Sequence, residues 1–96
     1  MHQGGQTYVV KNSRHRHAEL FDREKLEKSL VAACISSSAP TGHANSMAKR
    51  VADEVIEWLE GRPEVTTNDL RRIAGKYLRT YHPDASYLYE HHRSTL

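Results

Sequence analysis

Cysteine is nearly absent from this 96-residue chain: Cys34 stands alone. Neither an intramolecular disulfide nor a cysteine-based zinc ribbon can therefore form within it, and a reducing, cytoplasmic setting is the expectation that fits. Phenylalanine and tryptophan occur once each. No apolar run approaches the roughly 20 residues that a membrane-crossing helix needs, and no basic segment leads into an apolar one as in a signal peptide. Only five glycines are present, and none falls in a GxGxxG pattern or in a glycine-rich loop ending in lysine and serine or threonine. The two commonest phosphate cradles are thus missing. Internal repeats, heptads and low-complexity tracts are missing as well.

What is present suits one small domain. The length supports a single modest core and no more. The formal charge of +2 permits an anionic ligand without arguing for one, because clustering matters more than the total. Residues 1–7, with Gly4-Gly5 and little apolar material, read as a flexible tail, residues 8–93 as the domain, and 94–96 as a second tail.

Tyr8 to Lys11 and His17 to Phe21 read as two short strands, with the polar Asn12 to Arg16 as the turn between them. Asp22 is placed to cap a first helix that carries Leu26, Leu30, Ala33 and Cys34 on one stripe. The Cys34 thiol is then a small core group, with nothing to make it a catalytic one. Ser36 to Gly42 breaks the pattern. A second helix is expected to start between Thr41 and Ser46, with Met47, Val51, Val55, Trp58 and Leu59 at helical spacing and Gly61 closing it. Arg62-Pro63-Glu64 reads as a connector. Thr66 or Thr67 caps a third helix, with Asp69 completing a capping box and Leu70, Ile73, Ala74, Tyr77, Leu78 and Tyr81 facing inward. Pro83 suits the first turn of a fourth helix, whose inner face is Ala85, Leu88 and Tyr89. The expected fold class is α+β, a short β-hairpin packed on a four-helix bundle.

The stretch from Tyr8 to Leu30 has chemical interest of its own. A lysine leaving a strand (Lys11) and another in the first turn of a helix (Lys25) can converge on phosphates, which the free N–H groups of a helix start also favour. Solvated lysines on an ordinary hairpin and helix are the plainer reading of the same pattern. Val9-Val10-Lys11 followed by Glu19-Leu20-Phe21-Asp22-Arg23-Glu24-Lys25-Leu26 resembles the opening signature of the ATP-cone domain. That domain is the nucleotide-binding regulatory module of many ribonucleotide reductases and of the repressor of their genes. Thr66-Thr67-Asn68-Asp69-Leu70 and Tyr81-His82-Pro83-Asp84-Ala85-Ser86-Tyr87-Leu88 extend the likeness to about Tyr8 to His92. Two departures are clear: Asn12 to Ala18 replaces the family's arginine-aspartate-glycine turn, and the last helix is shorter than in many members, leaving His91, His92 or Arg93 to replace a basic phosphate contact or that contact absent.

The resemblance implies a hairpin acting as a lid over ATP or dATP, with Mg²⁺ accompanying the triphosphate through phosphate oxygens and water. Lys11, flanked by Val10 and Asn12, and Lys25 would contact phosphate. Glu19 corresponds to a glutamate associated with adenine, whose N6 amine a carboxylate can accept from; an exposed strand acid is the equal alternative. Asp22 would cap the helix and also lie near ligand, and Leu26 would pack under the base or simply in the core. Thr67 is the preferred hydroxyl ligand and Thr66 the preferred cap, the two being exchangeable. Arg71, one turn beyond Thr67, would add a phosphate contact. Arg14, His15, Arg16 and His17 would restore positive charge to the altered turn and make phosphate affinity depend on pH near neutrality.

The histidine spacings, His15 with His17 and His91 beside His92, do not suit a structural zinc on a helix face. No nucleophile is paired with a base, so a binding module and not an enzyme is expected. The resemblance implies an adenine-nucleotide sensor that self-associates or controls a partner in trans, a ribonucleotide reductase subunit or a transcription regulator. Two other classes remain open. One is a small nucleic-acid-binding module using Arg14, Arg16, Arg71, Arg72, Lys76 and Arg79, against which Glu54, Glu57 and Glu60 count. The other is a protein-interaction module that has kept the fold and lost the ligand.

Overall fold

In the computed structural model, residues 6–11 and 17–91 are described. Strands β1 (Tyr8–Lys11) and β2 (His17–Leu20) lead into helices α1 (Arg23–Ser36) and α2 (Thr41–Leu59). Strand β3 (Glu64–Thr66) then precedes helices α3 (Thr67–Tyr81) and α4 (Pro83–His91). The architecture is α+β, with a small sheet on four helices.

Three of the four helix starts carry a side-chain cap. Asp22 adopts extended backbone and its carboxylate accepts from the N–H groups of Glu24 and Lys25, capping α1. Thr66 caps α3 by a full capping box: its hydroxyl accepts from the Asp69 N–H at 3.0 Å, and the Asp69 carboxylate accepts from the Thr66 N–H at 3.4 Å. The exchangeable pair of threonines is thereby resolved, with Thr66 as the cap. Helix α2 begins at Thr41 behind Pro40, without a side-chain cap. It ends before Gly61, whose φ of +79° is the left-handed conformation that glycine adopts without penalty. At α4 the ring Nδ1 of His82 accepts from the Ala85 N–H at 3.3 Å.

The connector expected at Arg62 to Glu64 is corrected. Glu64, Val65 and Thr66 form a third strand, parallel to β1, in the register Tyr8↔Glu64, Val9↔Val65 and Val10↔Thr66. β1 is therefore the middle strand, with antiparallel β2 on its other side in the register Val9↔Glu19 and Lys11↔His17. Alternation along β1 sends Val9, with its partner Val65, into the core, while Tyr8 and its partner Leu20 stay half-exposed on the opposite face. Thr7, counted with the tail on sequence grounds, is buried, and its hydroxyl donates to the Arg62 carbonyl at 2.7 Å.

The core follows the helical stripes. Leu26, Leu30 and Cys34 of α1 meet Met47, Val51, Val55 and Leu59 of α2 and Leu70, Ala74 and Leu78 of α3. Burial pushes the Cys34 thiol up, so it stays neutral, as a small core group should. Ala33, Trp58, Ile73, Tyr77 and Tyr81 pack around the edge of this cluster. On α4 the inner face is Ala85, Ser86 and Tyr89, and Leu88 is only half-buried. Ser86 takes the inner place because α3 and α4 approach closely at Gly75, whose carbonyl accepts from the Ser86 hydroxyl at 2.7 Å. A methyl group at Gly75 would meet the Glu90 side chain, which would have to turn aside to admit it.

Candidate functional site

The sheet's inner face and the start of α1 place three charged side chains together. Glu19, on β2, sits opposite Val9, and Lys11 is two residues beyond Val9 on the same face of β1. The Lys11 ammonium lies 3.8 Å from Glu19 Oε2, and the Lys25 ammonium, from the first turn of α1, lies 3.4 Å from Glu19 Oε1. His17 Nε2 lies 3.6 Å from Oε2. Lys11 above all, and then Lys25, hold the Glu19 carboxyl below its ordinary value, so it is ionised at neutral pH.

Beside this group a shallow, open cleft runs between β2 and the helices. Val9, Leu26 and Leu70 supply apolar floor, Leu20 and Phe21 one wall, and Glu19, Asp22 and Lys25 the polar rim. The surface is thus apolar beneath and carries charges of both signs at its edge.

Lys11, Glu19, Asp22, Lys25 and Leu26 are thus brought to one place. Asp22 spends its carboxylate on the helix cap, and Leu26, 1% exposed, serves the core and the cleft floor together. Thr66 spends its hydroxyl oxygen on the capping box. Thr67 donates to the Val10 carbonyl at 3.4 Å, which ties the start of α3 to β1. Arg71, one turn further along α3, reaches the Asn68 side chain at 3.3 Å and lies near the Tyr89 hydroxyl. Asn12, like Arg14, His15, Arg16, His92 and Arg93, lies outside the described residues.

Four cleft residues, Val9, Leu20, Phe21 and Leu70, are not among the site residues expected on sequence grounds; Leu20 and Phe21 lie within the matched signature. Val9 shares its strand face with Lys11, and the two-residue alternation carries that signal. Leu70 looks like any core leucine of α3, and its place beside the cleft depends on how the sheet docks.

The basic surface considered for nucleic acid is largely offset among the described residues. Arg72 pairs with Asp69 at 3.0 Å and Arg79 with Glu90 at 3.5 Å. No helix among the described residues is long and apolar enough to cross a membrane. No group of three or more histidine, cysteine, aspartate or glutamate side chains suited to a metal ion occurs among them either.

The fold is a small module in which a three-stranded sheet sits on a helical bundle, with Lys11, Glu19 and Lys25 gathered where sheet and α1 meet. The chain belongs to the ATP cone domain family, whose model matches residues 7–93. ATP cone domains are nucleotide-binding regulatory modules that take ATP or dATP as effectors. No curated protein and no solved structure matches the chain.

Proposed function

We propose that the chain is an adenine-nucleotide sensor. It takes ATP or dATP, with Mg²⁺ carried on the triphosphate, and passes the binding event on through self-association or through a partner. The partner class fitting the family is a ribonucleotide reductase subunit or a regulator of its transcription. The observation that carries the reading is the convergence of Lys11 and Lys25, from separate elements, on Glu19, beside an apolar cleft that Lys25 and Glu19 line, in an ATP cone domain. Two point charges brought together from strand and helix match a chain of phosphates, and the apolar floor beside them offers a surface against which a base would lie.

In this reading Lys11 and Lys25 hold phosphate, and Leu26 lies under the base. Glu19 accepts from the N6 amine of adenine, a position where guanine presents an oxygen and would be repelled. Arg71 completes the phosphate side from α3, and the Thr67 hydroxyl joins it by exchanging its bond to the Val10 carbonyl for one to phosphate. The module performs no chemistry: its binding energy biases an equilibrium between two states of an assembly, so ligand must prefer one of them.

Calorimetric titration with ATP, dATP and GTP in Mg²⁺, with sizing chromatography on the same samples, tests the reading. Saturable binding selective for adenine nucleotides is expected, with a change of apparent size if self-association is the output. A flat titration against folded protein would sink it and leave the interaction-module reading in its place.

A further inference from the structure

We propose that Glu19 is a built-in competitor for the phosphate-binding lysines, so that a ligand gains them only by displacing this carboxylate; the inference rests on the nucleotide reading above. Both lysines assigned to phosphate face one side chain, Lys25 at Oε1 and Lys11 at Oε2, and His17 approaches the second oxygen as well. The two carboxylate oxygens are therefore divided between a cation from β1 and a cation from α1. An incoming phosphate meets ammonium groups that are already engaged, and it meets a like charge within a few ångströms of them.

Displacement is feasible because all three partners are mobile in the relevant sense. The Glu19 side chain is 44% exposed on an edge strand, and Lys11 and Lys25 are 22% and 39% exposed on long, flexible stems. None is locked by packing, so the carboxylate can swing aside and the stems can re-aim. A Glu19 set free in this way becomes available to the adenine amine. Phosphate engagement and base recognition are then linked steps, with one side chain moving from the first task to the second.

Glu19→Gln isolates the effect, since glutamine keeps an acceptor for adenine and loses only the charge. Inorganic tripolyphosphate has no base and reads the lysines alone. Calorimetry at low ionic strength on both proteins, with tripolyphosphate and with ATP, is the experiment. The variant is expected to bind both ligands about threefold to tenfold more tightly than the parent, the scale of two exposed ion pairs given up together. If the parent binds ATP and the variant binds neither ligand more tightly, the competitor role is overturned while the nucleotide reading stands. If neither protein binds either ligand, both are overturned. A second measurement needs no ligand: by NMR, the Glu19 carboxyl should titrate higher in the Lys11→Ala, Lys25→Ala double variant than in the parent. An unmoved midpoint would show that the lysines do not hold the carboxylate, and would also overturn the proposal.

Discussion

Ser29 on α1 and Tyr89 on α4 meet hydroxyl to hydroxyl at 3.0 Å across 60 residues of sequence. Ser29 gives its single proton to the Leu26 carbonyl at 2.7 Å, so Tyr89 is the donor of the pair. Burial pushes the Tyr89 phenol up to about 12. The fold thus favours the neutral phenol over the ionised one, and the sign follows. This contribution is complete below pH ~10, where the unfolded phenol titrates, and is lost as pH rises toward the folded value, by about 2–3 kcal/mol. Ultraviolet titration should show one tyrosine ionising late, together with loss of structure. Tyr89→Phe should remove the late step and cost about 1 kcal/mol at neutral pH through the lost hydrogen bond.

The lysine pair makes a separate claim. Lys11→Ala with Lys25→Ala should lower ATP affinity more than tenfold. Both side chains are partly exposed and neither belongs to the core, so the far-ultraviolet circular dichroism should be unchanged. Titration and a melting curve on the same preparation check both halves.

Thr66 is the third test. Replacing it by valine keeps the shape and removes the acceptor for the Asp69 N–H, and should cost about 1 kcal/mol, seen as a drop of roughly 4–8 °C in Tm. Hydrogen bonds from Thr66 hold the Asp69 carboxyl below its ordinary value of 3.8. Its contribution is therefore present above that value and is lost as pH falls through the lowered one. Asp69→Asn should flatten the acid limb of a Tm-against-pH profile.

Leu30 gauges the bundle itself. It is fully buried between α1 and its neighbours, and Leu30→Ala should cost about 2–5 kcal/mol through lost burial and the cavity left behind. Chemical denaturation measures it. A loss below 1 kcal/mol would mean that the α1 stripe is not packed as described.

Much of this was legible in the chain. The helix stripes, the Asp22 cap and the capping box at Thr66 are local patterns, and the structure follows them to within a residue or two. β3 was not legible. Three residues after a proline give no period to read, and their pairing is with residues at the far end of the sequence. The same limit applies to the site. Lys11 and Lys25 announce themselves by residue type and position, whereas Leu70 joins the cleft only through tertiary packing. The common engagement of both lysines by Glu19 depends on strand register, which the altered Asn12 to Ala18 segment left unfixed on sequence grounds. Ser86 on the inner face of α4 followed from the close approach at Gly75, which no single-helix pattern records.

The central place of β1 has a consequence for how the molecule is assembled. Its partnership with β2 is local, whereas its partnership with β3 closes a long loop: Thr7 and Arg62, which meet beside that pair, are 55 residues apart. Loop-closure entropy makes such a pairing late on the folding path, after α1 and α2 have packed. The β1–β3 pairing is thereby expected to be among the last secured and the first released in partial unfolding. Amide protons of β1 should exchange with solvent sooner than those of Leu30 or Val55, so the basic rim can open while the helices beneath it stay folded.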